Sequence, residues 1–475
     1  MTIANRNFIL NADSYKASHY LQYPPGTSQV SSYIEARGGE FKQAVFFGLQ
    51  MFIKEYLARP ITGGDIDEAK TVFEAHGVPF NEKGWRYILE AHKGYLPIEI
   101  QAIPEGTLVP VGSAMVQVTN TDPNCAWLTS YVETALLRAV WYPTTVATVS
   151  WHCRQVIQRY MQETCDDIEG IGFKLHDFGA RGATTEEAAA LGGAAHLVNF
   201  QGTDTLSGIM AARRYYGADM AGFSIPAAEH STITAWGREN EAAAYANMLQ
   251  QFAGPGKLVA VVSDSYDLWN AIDNIWGDEL RGKVEASGGT LVVRPDSGDP
   301  VTIVTETIER LMNKFGYKVN GKGYRVLPDY IRVIQGDGIS QRTIEAILEA
   351  MKQRKQSADN IAFGMGGELL QKVNRDTMKF AMKASAAKVG ESWREVYKDP
   401  VTDRGKRSKK GRLAVIRDGK GVVKTIGVQD LGQRVNLLHS VFKNGRLTRE
   451  FNFDQVRINA LQGAVAEGEQ LEAVV

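Results

Sequence analysis

The chain has 475 residues, 44% hydrophobic and 23% charged, the values of an ordinary globular protein, which excludes global disorder. Lysine plus arginine number 53 against 54 acidic residues, a net charge of -1, so no global basic field exists to hold a nucleic acid or a membrane surface. At roughly 150 residues per domain the length points to two or three domains, each able to bury a core without staples.

The N-terminus, MTIANRNFILNADSYK, lacks a basic start followed by a long apolar stretch. No run approaches the roughly 18 apolar residues of a membrane span. Cys125, Cys153 and Cys165 show no CxxC spacing, which argues against a disulfide framework or zinc site and fits a reducing compartment. The expectation is a cytoplasmic protein with no membrane partner. From Leu96 to Asn120 the chain reads as short strands broken by Pro and Gly.

The middle repeats one pattern: an apolar, β-branched run, a polar cluster, then a helix-like stretch. The runs start at Phe173, His196, Phe223, Leu258, Thr290, Ile331 and Asn360. Thr184 and Glu187 have capping-box spacing, Asp299 with Pro300 reads as a helix start, and Ser340 as another cap. A helix is expected over the residues that follow Gly367. Such alternation predicts parallel strands joined by helical crossovers. With seven units and polar residues at each strand's C-terminal end, a barrel with its active site at that face is favoured over an open sheet. Residues Arg412 to Val428 look like a hairpin turning at Asp418–Gly421. The expected division is an α/β barrel over 146–384 and a smaller β-rich α+β domain built from 1–145 and 385–475.

No GxGxxG opens a βαβ unit, and GxxxxGK[ST], HExxH and GxSxG are absent, so dinucleotide, P-loop, zincin and hydrolase-elbow chemistry lose their usual support. What remains is a set of strand-end loops. Arg294-Pro295-Asp296-Ser297-Gly298 joins a cation that binds two phosphate oxygens, a carboxylate suited to ribose hydroxyls, and a Gly turn. Gln335-Gly336-Asp337-Gly338 and Gly364-Met365-Gly366-Gly367 repeat the theme ahead of helices, whose N-termini favour anions. Three such loops on one barrel face point to a phosphosugar or nucleotide. His230 at a strand end is either a locally satisfied helix histidine or an acid/base or phosphoryl acceptor. His176 reads as a core histidine. Asp264 and Asp267 read as helix caps or as sugar or Mg²⁺ contacts. The basic stretch Lys406–Arg412 is a solvated loop by default, or a loop neutralising phosphate at the barrel mouth.

These loops, with Asp13–Lys16, Asn81–Trp85, His176–Gly179, Gly202–Thr205, Pro226–Gly237, Ser263–Asp267, Lys398–Pro400 and Lys406–Leu413, resemble the nicotinamide phosphoribosyltransferase family from Asn11 to about Asn459. The resemblance implies the irregular α/β barrel of the type II phosphoribosyltransferases and a homodimer with shared sites. It implies transfer of the phosphoribosyl group of phosphoribosyl pyrophosphate to nicotinamide, with Mg²⁺ and with ATP as activator. Phe178 would stack on the nicotinamide ring, Tyr15 of a second subunit would cover its other face, and Asp204 would accept from the carboxamide. Arg294 would serve both ring and phosphate, beside Arg181. Asp296 and Asp267 would bind ribose or its Mg²⁺. Backbone groups of Gly336, Asp337, Gly366 and Gly367 would cradle the 5′-phosphate. Arg37, Arg375, Lys383 and Lys398 would neutralise pyrophosphate or ATP, and His230 would be phosphorylated. Ala180 and Met365 depart from the family's pattern and are expected to reshape the base or phosphate pocket. The competing readings are a nicotinate phosphoribosyltransferase, disfavoured by Asp204 facing a second carboxylate, and a non-catalytic partner-binding protein on the same fold.

Overall fold

The computed structural model describes residues 7–402, 407–419 and 421–472. The chain divides into two compact units. The first takes the chain as far as Thr148, a short return at Ala211–Ala218, and everything from Asn374 onward; the second is Val149–Met210 with Asp219–Val373. The expected boundary at 384/385 falls inside a strand, Ala381–Val389, whose ladder with Thr27–Glu35 carries it into the first unit.

In the first unit, strands from both ends of the chain interleave in one antiparallel sheet. Its order is Ser392–Glu395, Ala381–Val389, Thr27–Glu35, Ala114–Asn120, Ile98–Ala102, His439–Lys443 and Arg446–Leu447. Ile98–Ala102 alternates buried and half-buried residues, as a strand with one covered face must. Under this sheet Trp85 meets Trp127 and Tyr131 edge-on, at 4.9 and 5.0 Å between ring centres. The hairpin expected after Arg412 forms between Leu413–Arg417 and Val423–Gly427; Lys420 of its turn lies outside the described residues.

In the second unit six parallel strands run in the order Gly202–Thr203, Leu175–Asp177, Ile361–Met365, Ile331–Gln335, Thr290–Arg294 and Leu258–Val262. The segment between Phe223 and Ala227 closes the ring, because Phe223 bridges Gly202 and Ala227 bridges Ala260. All seven predicted units therefore lie in chain order around an irregular barrel. Pro226 explains why the seventh is two isolated bridges and no full strand. It has no N–H to donate, although its carbonyl accepts from Ala260 N at 2.9 Å.

Three local expectations change. The apolar run from His196 ends the helix Glu186–Leu197, whose cap is Thr185 in place of Thr184. His196 is fully buried, with Nδ1 3.0 Å from Ser150 Oγ and Nε2 3.2 Å from Gly202 O, and only Gly202–Thr203 remains as strand. The helix expected after Gly367 stops at Leu370, and Asn374 caps a short turn at Arg375–Thr377. The stretch after His230 is broken at Gly237, whose φ is 85°, into His230–Thr234 and Glu241–Phe252.

The caps at Asp299 and Ser340 form as expected, Asp299 Oδ2 accepting from Thr302 N at 2.9 Å with Pro300 in the first turn. Asp299→Ala should lower the urea midpoint while Asp299→Asn leaves it nearly unchanged. Urea midpoints test this, and equal midpoints for Ala and the native chain would rule the cap out.

Candidate functional site

The polar residues that end the barrel strands gather at its C-terminal mouth. His230 opens the helix His230–Thr234, and its Nε2 lies 2.9 Å from Asp264 Oδ1. The histidine side chain is 47% exposed, while that of Asp264 is 4% exposed. The second oxygen of Asp264 accepts from Ser297 Oγ at 2.6 Å and from Asp296 N at 3.2 Å. A carboxylate is an acceptor only, so Nε2 carries the proton and Nδ1 keeps a lone pair toward solvent.

The sequence reading chose Asp267 over Asp264. The geometry reverses their weights: Asp267 Oδ1 is taken by the N–H groups of Trp269 and Asn270, at 3.0 and 3.1 Å, as a helix cap. Asp264 was legible as the acid that closes the apolar run LVAVVSD, but nothing along the chain says that it meets His230.

Arg294 lies mostly buried, with Nε 3.8 Å from Asp296 Oδ1 and no hydrogen-bond partner. Burial raises the Asp296 carboxyl above its ordinary range, with Arg294 opposing and Asp264 reinforcing the shift. Phe178 packs among the barrel-lining Ala260, Val292, Ile334, Ile225 and Ala362. Its ring occupies the space over Gly364, where a Cβ would come within 2.0 Å of it, and it also flanks Gly336. At position 364 glycine is the condition for the ring's seat.

Asp204 is exposed at this mouth and accepts from Ser224 Oγ. No other described side chain donates to it, so its second oxygen is open to a ligand. His176 was expected in the core. It is half-buried instead, against Gly202, with Nε2 3.1 Å from Phe173 O and its ring 6.2 Å from Phe178. Gln335 Nε2 holds the Asp337 carbonyl at 2.9 Å, and Gly338 at φ 68° lets the loop turn. Arg181 is exposed in the turn Ala180–Gly182, which lies against Gly367, while Gly366 opens the short helix Gly367–Leu370. Ala180 is exposed in that turn, and Met365 is fully buried at the end of the strand Ile361–Met365.

Tyr15, Arg37, Arg375, Lys383 and Lys398 belong to the first unit. Tyr15 is 58% exposed, with His19 edge-on at 5.1 Å. Burial lowers the Lys383 ammonium; Arg37, Lys16 and Lys398 add to that shift and Glu133 opposes it. Arg375 is exposed beside Asp376. In the basic stretch Lys410 pairs with Glu395 at 2.8 Å; Lys406 lies outside the described residues. Among the described residues no cluster of three metal-ligating side chains occurs, and no helix is long and apolar enough to cross a membrane.

A profile of the nicotinate phosphoribosyltransferase family matches residues 173–446, and one of the nicotinamide phosphoribosyltransferase N-terminal domain matches 7–100. A nicotinamide phosphoribosyltransferase of Xanthomonas campestris is 55% identical over 96% of this chain and 98% of its own length. The chain belongs to the nicotinamide phosphoribosyltransferase family. A second member, from Acinetobacter baylyi, is 33% identical over 94% of this chain and 96% of its own. In fold, the chain is similar to nicotinate-nucleotide pyrophosphorylase of Pyrococcus furiosus, at TM-score 0.63 and 16% identity over 98% of both chains. It is also similar to human nicotinic acid phosphoribosyltransferase, at TM-score 0.56 and 16% identity over 96% of this chain and 93% of that one. The expected fold, the irregular barrel of the type II enzymes with a separate antiparallel sheet, is the fold found.

One acid beside the ring offers a pH test. Asp177, next to Phe178, is fully buried; burial pushes its carboxyl up to about 6, although Gly179 N donates to it at 2.7 Å. A raised carboxyl favours the protonated folded state, so this group destabilises the fold as pH rises from about 4 to about 6. Asp177→Asn should therefore gain stability relative to the native chain across that interval. Thermal melts at stepped pH measure the difference, and a flat difference would contradict the shift.

Proposed function

We propose that this chain transfers the phosphoribosyl group of phosphoribosyl pyrophosphate to nicotinamide, releasing nicotinamide mononucleotide and pyrophosphate in NAD salvage. The observation that carries this reading is the shared barrel mouth, where an aromatic floor, an arginine and a carboxylate-bound histidine face one opening. Breaking the C1–pyrophosphate bond creates an oxocarbenium-like ribosyl cation and a polyanionic leaving group. Phe178 supports one face of the pyridine ring, Asp204 accepts from the carboxamide N–H, and Arg294 reaches the phosphate or the base. The pyridine nitrogen already has a free lone pair, so orientation, and not a strong base, is what the protein supplies.

Asp296 is the acid best placed to take ribose hydroxyls. The backbone of Gly336, Asp337, Gly366 and Gly367 faces the 5′-phosphate together with Arg181. The sparse acids at the mouth suit a Mg²⁺ held chiefly by phosphate oxygens and by Asp296, the mode in which this ion is usually bound. When bound, Mg²⁺ neutralises the developing pyrophosphate charge. Arg37, Arg375, Lys383 and Lys398 neutralise pyrophosphate or ATP, and the exposed Tyr15 covers a nicotinamide in the other subunit of a homodimer. Asp267, committed to its helix cap, is the weakest member of the set.

ATP acts through His230. Its Nδ1 lone pair attacks the γ-phosphorus and ADP leaves, while Asp264 holds Nε2–H and stabilises the imidazolium-like product. This reading gives Asp264 the role of tautomer selector. The competing acid substrate places a second carboxylate beside Asp204, and like-charge repulsion weakens its binding unless one is protonated.

The decisive assay incubates the protein with phosphoribosyl pyrophosphate, Mg²⁺ and nicotinamide or nicotinate, with and without ATP, and measures the mononucleotide. Product from nicotinamide is expected, and its absence would overturn the reading. His230→Ala and Asp264→Asn should abolish ATP stimulation, at least tenfold in rate, while ATP-independent turnover persists. Full stimulation in either variant removes the phosphohistidine role. Asp204→Asn should weaken nicotinamide use and relax discrimination against nicotinate; unchanged selectivity frees Asp204 from that assignment.

A further inference from the structure

Glu35 ends the strand Thr27–Glu35 in the first unit and is only 3% exposed. Its carboxylate faces two cations, Arg37 Nε at 3.3 Å and Lys409 Nζ in a short ion pair. Tyr33 Oη lies 3.4 Å from the same carboxylate and accepts the Lys409 N–H at 2.8 Å. The residue before Lys409 carries the link onward. Ser408 Oγ accepts Lys398 N–H at 2.8 Å, and Ser408 N–H donates to Lys398 O at 2.9 Å. Lys398 is thus tied through Ser408 and Lys409 to the strand that holds Glu35. Arg37 Nη2 is buried and has no hydrogen-bond partner. A guanidinium with one edge on a carboxylate and a bare buried nitrogen beyond it has a direction in which to receive an oxyanion.

A carboxylate among cations that are to receive a polyanion is electrostatically unfavourable, since like charge weakens the attraction. Its benefit is geometric: it fixes a rotamer-rich arginine and anchors the base of the basic stretch. We propose that Glu35 is a positioning residue for the polyphosphate substrate, orienting Arg37 directly and Lys398 through Lys409 and Ser408. The inference rests on the reading that Arg37 and Lys398 take substrate phosphates.

The sign of the effect separates positioning from plain charge. With the full-length protein, KM for phosphoribosyl pyrophosphate and for nicotinamide is measured in Glu35→Gln, Lys409→Gln and the double variant. Positioning predicts that KM for phosphoribosyl pyrophosphate rises about tenfold in each single variant, the size of one charge-assisted hydrogen bond. KM for nicotinamide stays within about twofold, and the double variant is no worse than the worse single, because both remove one link. A KM for phosphoribosyl pyrophosphate that falls or stays constant in Glu35→Gln overturns the proposal, as does an additive double variant. Should Glu35→Gln not fold, Lys409→Gln breaks the same ion pair from its more exposed side, and an unchanged KM there overturns it equally. Arg37→Ala distinguishes the underlying reading. If it leaves KM for phosphoribosyl pyrophosphate unchanged, the phosphate role of Arg37 fails and Glu35 falls with it. If it raises KM while Glu35→Gln does not, the positioning role alone fails.

Discussion

A buried carboxylate joins three separate loops of the barrel. Asp264, at the end of one strand, holds His230 from the loop before it and the Asp296–Ser297 segment from the loop after it. Each bond has a different consequence. The first selects the imidazole tautomer, the second fixes the backbone that carries Asp296, and the third gives the same buried oxygen a second, shorter donor. Leaving such an oxygen without partners costs about 1–3 kcal/mol or more for a charged group. Because the three bonds share one carboxylate, the placement of histidine, acid and turn is a single geometric decision.

The same economy of space governs the seat of Phe178. Phe178 has its seat only because position 364 lacks a side chain, and because small or branched residues such as Ala260 and Val292 line the barrel. The glycines in these loops therefore serve two ends. They expose backbone N–H groups, and they leave room for an aromatic ring that enters from a neighbouring strand.

Most of the barrel was legible because its strands announce themselves. LVAVV and TLVVR are near-continuous apolar runs, as parallel strands covered on both faces must be, and each ends in a polar cluster. Interleaving of the chain ends was legible from β-rich composition in both flanks, though the boundary near 384 was not, since a strand gives no sign of which sheet it joins. The run at His196 misled because an Ala- and Gly-rich helix end and a buried strand look alike over five residues. The strand-end loops that carry Arg294 and Asp296 were legible from residue type and spacing. Pairing between loops was not. Asp264 and Asp267 are three residues apart with equal chemistry, and only the distance to His230 separates them.

Closure of the barrel at Phe223–Ala227 rests on two isolated bridges flanking a proline, while Leu258–Val262 and Thr290–Arg294 share a five-residue ladder. That join leads directly into His230, which Asp264 also grips from the next loop. A substitution that strains Phe223–Ala227 is therefore felt at the imidazole through the backbone, at the one point of the ring where no continuous ladder absorbs it.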